Sequence, residues 1–134
     1  MAKHRVFVYG SLRHGYENNS YYLSPFDLLA LHVETKLREF DMVSLGAFPG
    51  VISNGAFRVI GDLYEIDSSC LNRLDRLESN GEFYERRPVE LLEHGTAWLY
   101  FLLPEFVPPF DGHESNPGVL REQNTVEWKP NRRG

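Results

Sequence analysis

Apolar and polar positions along the chain fall into short runs with β periodicity, broken by glycine and proline, and one stretch alone has clear amphipathic-helix spacing. Val6-Phe7-Val8-Tyr9 is continuous, apolar and β-prone and stops at Gly10, which predicts a buried first strand followed by a loop to Asn19. Asn19 or Ser20 can cap a short helix through Tyr21, Tyr22 and Leu23, which Pro25 ends. From Leu28 to Val43 the pattern fits one or two strands, although Leu28-Leu29-Ala30-Leu31 also suits a helix. Residues 45–55 hold three glycines and Pro49 and read as a loop stiffened by Phe48-Pro49-Gly50. Phe57 to Ile66 reads as a strand, with Gly61 marking a bulge or a close approach of another backbone or a ligand.

The helical spacing starts after an N-cap at Asp67, Ser68 or Ser69 and reaches about Glu78, where Ser79-Asn80-Gly81 stops it. Tyr84 to Leu92 and Thr96 to Leu103 are strand-like, and the link Glu93-His94-Gly95 makes them a hairpin. Beyond Leu103 the chain carries Pro104, Pro108, Pro109, Pro117 and Pro130 and loses periodicity, so 104–134 is expected to be a proline-rich tail, mostly loop. The sum is a single α+β domain over 1–134, with a small curved or barrel-like mixed β-sheet and flanking helices.

Composition narrows the function classes. A chain of 134 residues suits one domain with one core, and 42% hydrophobic, 25% charged and 13% aromatic residues are the proportions of a folded protein. The net charge is -5, and eleven Arg and three Lys are scattered among nineteen acids, which leaves no basic footprint for nucleic acid. No apolar run approaches the roughly 18 residues of a membrane span, and Met1 to Arg5 lead straight into the first strand, so the expectation is a cytoplasmic protein without a membrane partner. Cys70 is the single cysteine, which excludes an internal disulfide and a thiolate metal site and suits a small core residue. Asn18-Asn19-Ser20 matches a glycosylation acceptor by chance.

Two features carry chemistry. Leu71, Leu74 and Leu77 share one helix face, and Glu78, seven residues after Leu71, lies nearly on the same line. Either its carboxylate is aimed at the core, where burial raises its pKa into the range of a general acid and base, or the helix end frays and Glu78 reaches solvent. Tyr9-Gly10-Ser11-Leu12 ends the first strand, and a positive φ at Gly10 would turn the chain sharply and offer N–H groups to an anion. The plainer alternative is a strand that ends in a turn.

Together with its flanks, the segment Val6-Phe7-Val8-Tyr9-Gly10-Ser11-Leu12-Arg13-His14-Gly15 resembles the signature loop of the γ-glutamylcyclotransferases (AIG2-like proteins), nearest the γ-glutamylamine cyclotransferase branch. Further matches follow in order: Phe48-Pro49-Gly50, the glycine-containing strand Val59 to Tyr64, Leu74-Asp75-Arg76-Leu77-Glu78, Tyr84-Glu85-Arg86 and Ala97-Trp98-Leu99-Tyr100. The resemblance implies a five- or six-stranded barrel-like sheet with flanking helices. It implies a substrate site of Tyr9, Gly10, Ser11, Leu12, Pro49, Gly50, Tyr84 and Tyr100. In that site the Tyr9 to Leu12 backbone holds the α-carboxylate of a small γ-glutamyl substrate and Glu78 faces its α-amine. Tyr84 and Tyr100 are candidate donors to the oxyanion, and no metal or organic cofactor is implied. The implied reaction is cyclisation to 5-oxoproline with release of an amine. A non-catalytic module holding a carboxylate metabolite is the alternative, and a purely structural domain gives no reason for the glycine loop and the acid. Ser79-Asn80-Gly81-Glu82-Phe83 departs from the cysteine- and proline-containing segment of the animal enzymes and adds Glu82 as a second acid.

Overall fold

The computed structural model of the protein describes residues 2–108 and 117–130. Pro109 of the expected tail, like Met1, lies outside the described residues. The elements are β1 (Lys3–Val8), α1 (Asn19–Tyr22), β2 (Leu28–Glu34), β3 (Phe40–Ser44), β4 (Pro49–Ser53), β5 (Arg58–Asp67), α2 (Ser68–Leu77), β6 (Tyr84–Leu91), β7 (Gly95–Leu102), β8 (Val119–Arg121) and β9 (Thr125–Trp128). Short 3-10 turns at Pro25–Asp27 and Pro104–Phe106 complete the described set.

All nine strands belong to one mixed sheet of order β3-β4-β7-β1-β5-β9-β8, with β2 added to β5 and β6 to β7. The strand pairs β1·β7, β4·β7 and β5·β9 are parallel and the others antiparallel. The sheet curls until it is nearly closed. A bridge between Thr35 and Leu91 brings β2 to β6. Arg121 of β8, at one end of the order, donates to the Asp41 carboxylate at 2.9 Å and to the Met42 carbonyl at 2.9 Å in β3, at the other end.

The continuous apolar runs follow from this closure, because strands covered on both faces have no polar side. Phe7 and Tyr9 of the first run, with Ala97, Leu99 and Phe101 of β7, pack inside the curl with Met42, Val59, Val126 and Trp128. Val6, Val8, Tyr100 and Leu102 point the other way, against Leu71 and Leu74 of α2. Gly61 is the close approach expected of it: a side chain there would collide with the Val8 carbonyl oxygen.

The structure corrects three expectations. Residues 49–53 are strand β4, not loop: Pro49 is the first residue of the strand, where its missing N–H does little harm, and Ser44 pairs with it across a tight link. The tail carries two strands that were not expected, since β8 and β9 pair with each other and β9 joins β5, burying Val126 and Trp128. Among the described residues the sheet accordingly has nine strands where five or six were implied. The remaining differences are small: α1 begins at Asn19 with Asn18 at the N-cap position and no side-chain cap, and Leu28–Glu34 is strand. No helix among the described residues is long and apolar enough to cross a membrane.

Candidate active site

The end of α2 decides where Glu78 points. Asp67 caps the first turn by accepting from the Cys70 N–H at 2.8 Å. At the other end Glu78 is the C-cap, and Ser79 adopts the left-handed conformation (φ 51°). The Asn80 N–H donates to the Asp75 carbonyl at 2.9 Å and the Ser79 N–H to the Arg76 carbonyl at 3.2 Å, the paired bonds of a Schellman ending with serine where glycine is usual. The helix therefore stops without fraying. Leu71 and Leu74 are buried, Leu77 is only partly covered, and the half-buried Glu78 lines a cavity of about 210 Å³.

The Glu78 carboxyl has no hydrogen-bond partner among the described residues, and burial pushes it from an ordinary value of 4.5 up to about 7. Tyr9 and Tyr84, both against the same cavity, are pushed up by their own burial first, after which Tyr84 is raised by the nearby Glu78 charge and Tyr9 by Tyr84 and then by Glu78.

The loop after β1 supplies another part of the same wall. Arg13 N–H donates to the Gly10 carbonyl at 3.0 Å, closing a tight turn with Ser11 and Leu12 at its centre. The carbonyls of this loop are tied back: Ser11 accepts from Asn18 N–H at 2.9 Å, Leu12 from Asn19 Nδ2 at 2.8 Å and Arg13 from Tyr16 N–H at 2.9 Å. The N–H groups of Gly10, Ser11 and Leu12 donate to no carbonyl in these turns, and the three residues line the cavity. With acceptors turned away and donors left over, the loop offers positive partial charge to an anion. The Ser11 hydroxyl accepts from Asn18 Nδ2 at 2.9 Å and so keeps its own proton to donate.

Gly10 reaches this geometry without a positive φ, contrary to expectation. What restricts its side chain is Pro49, whose ring carbons stand 3.1 Å from where a Cβ would be.

Of the anticipated site residues, Tyr9, Gly10, Ser11, Leu12, Pro49, Tyr84, Tyr100 and Glu78 all line the one cavity. Gly50 does not. It is a packing glycine, since a Cβ there would stand 2.8 Å from the Leu102 side chain. Glu82 is exposed and away from the cavity.

The proposed hydroxyl donors are also corrected. Tyr84 Oη–H donates to the Pro49 carbonyl at 2.7 Å and Tyr100 Oη–H to Asp75 at 2.6 Å. A phenol has one proton, so neither has one left for an oxyanion. Their work is to fix walls, as does Tyr9, which donates to the Tyr100 carbonyl at 2.7 Å and accepts from Val51 N–H at 3.1 Å.

Phe7 and Val8 of β1, with Asn18, Phe48, Leu77, Ser79 and Phe83, complete the lining and were not anticipated as site residues. Asn18 and Phe48 adjoin the two recognised loops, which was the available signal. Phe83, one of the lining residues, packs with Phe48 and Phe106, with ring centroids 6.5 and 4.7 Å away.

Comparison with known proteins agrees with the resemblance. A Vibrio cholerae protein provisionally named a γ-glutamylcyclotransferase is 44% identical over 98 residues, covering 73% of this chain and 81% of that protein. The γ-glutamylcyclotransferase family protein YtfP of Escherichia coli K12 is 36% identical over 109 residues, covering 81% of this chain and 87% of its own. The crystal structure of an AIG2-like protein from Mus musculus superposes with a TM-score of 0.61 at 25% identity, covering 85% of this chain and 90% of that one. The family model described as γ-glutamyl cyclotransferase, AIG2-like, matches residues 6–128, and the chain belongs to that family.

Proposed function

We propose that the protein is a γ-glutamylcyclotransferase that converts the γ-glutamyl group of a small conjugate into 5-oxoproline and releases the attached amine. The observation that carries this reading is the pairing, across one cavity, of an unpartnered carboxyl pushed up to about 7 with a loop of unspent N–H donors. The loop holds the substrate α-carboxylate, and Glu78 faces the α-ammonium group.

With its pKa pushed up to about 7, Glu78 is available as a carboxylate near neutral pH to take a proton from that ammonium. The freed amine attacks its own γ-carbonyl carbon, forming the ring C–N bond. The tetrahedral oxyanion meets the remaining polarity of the loop, with Ser11 as the hydroxyl donor. Glu78, now protonated, gives the proton to the leaving nitrogen as the old C–N bond breaks, and the surplus proton of the ring nitrogen then passes through the same carboxylate to the released amine, which departs as an ammonium ion. No water is consumed and the carboxylate is regenerated.

Both reacting atoms belong to one substrate molecule, so the protein chiefly imposes a ring-closing conformation, for which effective molarities reach roughly 10⁵ M or more. The fixed tyrosine walls serve that purpose. Incubation with a panel of γ-glutamyl amines, amino acids and peptides, followed by assay of 5-oxoproline, tests the proposal. Release from at least one of them is expected. Binding of these compounds without turnover of any would leave a carboxylate-binding module instead.

A further inference from the structure

Behind the anion-facing loop lies a buried group of charges that takes no direct part in the site. Arg13 follows the turn immediately, and its side chain is 3% exposed. Its Nη1 donates to Glu127 Oε2 at 2.7 Å and its Nη2 to Asp62 Oδ1 at 3.1 Å. Asp62, itself 1% exposed, also accepts from the His14 N–H at 2.9 Å and the His32 N–H at 3.2 Å. The three side chains come from the loop, from β5 and from β9. A second tie runs the same way: Tyr16 stacks over the Arg13 guanidinium at 5.6 Å and donates from its hydroxyl to the Trp128 carbonyl at 3.2 Å.

As a device for stability this group is poorly made. One guanidinium faces two carboxylates, leaving a net negative charge in the interior, and Arg13 Nε is buried with no partner. Buried ion groups of this kind are often no more stable than apolar residues of the same volume, so what they contribute is definition of a geometry. The geometry in question is that of the turn, because the Arg13 backbone N–H closes it on Gly10 while its side chain is held at both ends.

We infer that Arg13, Asp62 and Glu127 are positioning residues for substrate-carboxylate recognition, holding the Gly10–Leu12 donors in register, so that the β8–β9 hairpin is part of the active-site machinery. The inference rests on the proposed role of that loop as the carboxylate site, and its test must separate the two.

Equilibrium binding of 5-oxoproline and of pyrrolidin-2-one, the same lactam without the carboxylate, does so without requiring turnover. Wild-type protein, Glu127→Gln and Arg13→Lys are compared, with thermal unfolding as a check on the fold. Glu127→Gln keeps the shape and removes the surplus negative charge, so it should fold. The expected result is a wild-type preference for 5-oxoproline that falls about 5- to 20-fold in both variants, while affinity for pyrrolidin-2-one stays within about twofold, as loss of a positioned charge-assisted contact predicts. Folded variants that bind 5-oxoproline as the wild type does would overturn the positioning role and leave the carboxylate site standing. Equal loss of both lactams would reduce the group to a structural one. A wild type that does not distinguish the lactams would remove the carboxylate site itself, and the positioning role with it.

Discussion

Two carboxylates, Asp62 fully buried and Glu78 half-buried against the cavity, stand near the loop after β1, and the protein treats them in opposite ways. Asp62 accepts from one guanidinium and two backbone N–H groups. Glu78 accepts from nothing among the described residues and is held near neutrality by desolvation alone. A satisfied carboxylate is inert, its lone pairs committed and its charge compensated. An unsatisfied one carries a standing free-energy penalty when ionised, and that penalty makes it ready to take up a proton. Burial alone therefore does not mark a functional acid. Desolvation without partners, beside a cavity, is what singles out Glu78 as the acid of the proposed reaction.

The comparison breaks most directly at Glu78. Glu78→Gln keeps the shape and removes the proton acceptor, so 5-oxoproline release should fall by about 10²- to 10⁴-fold with the fold intact. Glu82→Gln, in the exposed link before β6, should change it by less than about threefold. A dead Glu82 variant beside an active Glu78 variant would put the base on the wrong residue.

The structural partner of the comparison should fail in stability instead. Asp62→Leu removes one of the two carboxylates paired with a buried guanidinium and strands two backbone donors, and urea unfolding should show a loss of about 3 kcal/mol or more. A loss below about 1 kcal/mol would mean that the ion group is not held together as its distances suggest.

A subtler effect sharpens the contrast through pH. The folded-state pKa of Glu78 lies above its ordinary value of 4.5, so its contribution favours the fold below about 4.5 and is lost as pH rises through about 7. Glu78→Gln abolishes this term. Relative to the wild type, the variant should gain about 1 to 3 kcal/mol between pH 4.5 and pH 8.5, with titrations common to both proteins cancelling in the difference. The same ionisation should give the wild type a rising limb of kcat/KM centred near pH 7. A difference in stability that is flat with pH would contradict the raised pKa.

The smallest effect concerns the helix end. Ser79→Gly relieves a left-handed serine and should add about 0.5 to 1 kcal/mol in thermal unfolding, with turnover within about twofold, because backbone geometry rather than the Ser79 side chain aims Glu78.

Much of this was legible in the sequence where one rule governs a segment. The runs Val6–Tyr9 and Ala97–Leu102 announce buried strands because both faces of β1 and β7 are covered. Leu71 and Leu74 place α2, and the acid one residue past Leu77 follows from helical geometry. Failures occur where tertiary contacts override local chemistry. Pro49-Gly50 has loop composition, yet Gly50 is needed for the Leu102 side chain to approach, and Pro49 pays nothing for its missing N–H at a strand start. β9 hides among prolines because its signal is four residues long. The role of Tyr84 and Tyr100 turned on which carbonyl or carboxylate each hydroxyl meets, 35 and 25 residues away in sequence, and no spacing rule reaches that far.

The Arg13–Glu127 contact spans 114 residues, which sets the order of events when the protein folds. Closing so long a loop costs chain entropy that only a largely assembled sheet can offset, and sheets dominated by distant pairings form slowly. The hairpins β3–β4 and β6–β7 need no such closure. A refolding chain thus collapses and buries its apolar runs before the loop after β1 is locked, and competence to hold a ligand is among the last properties it recovers.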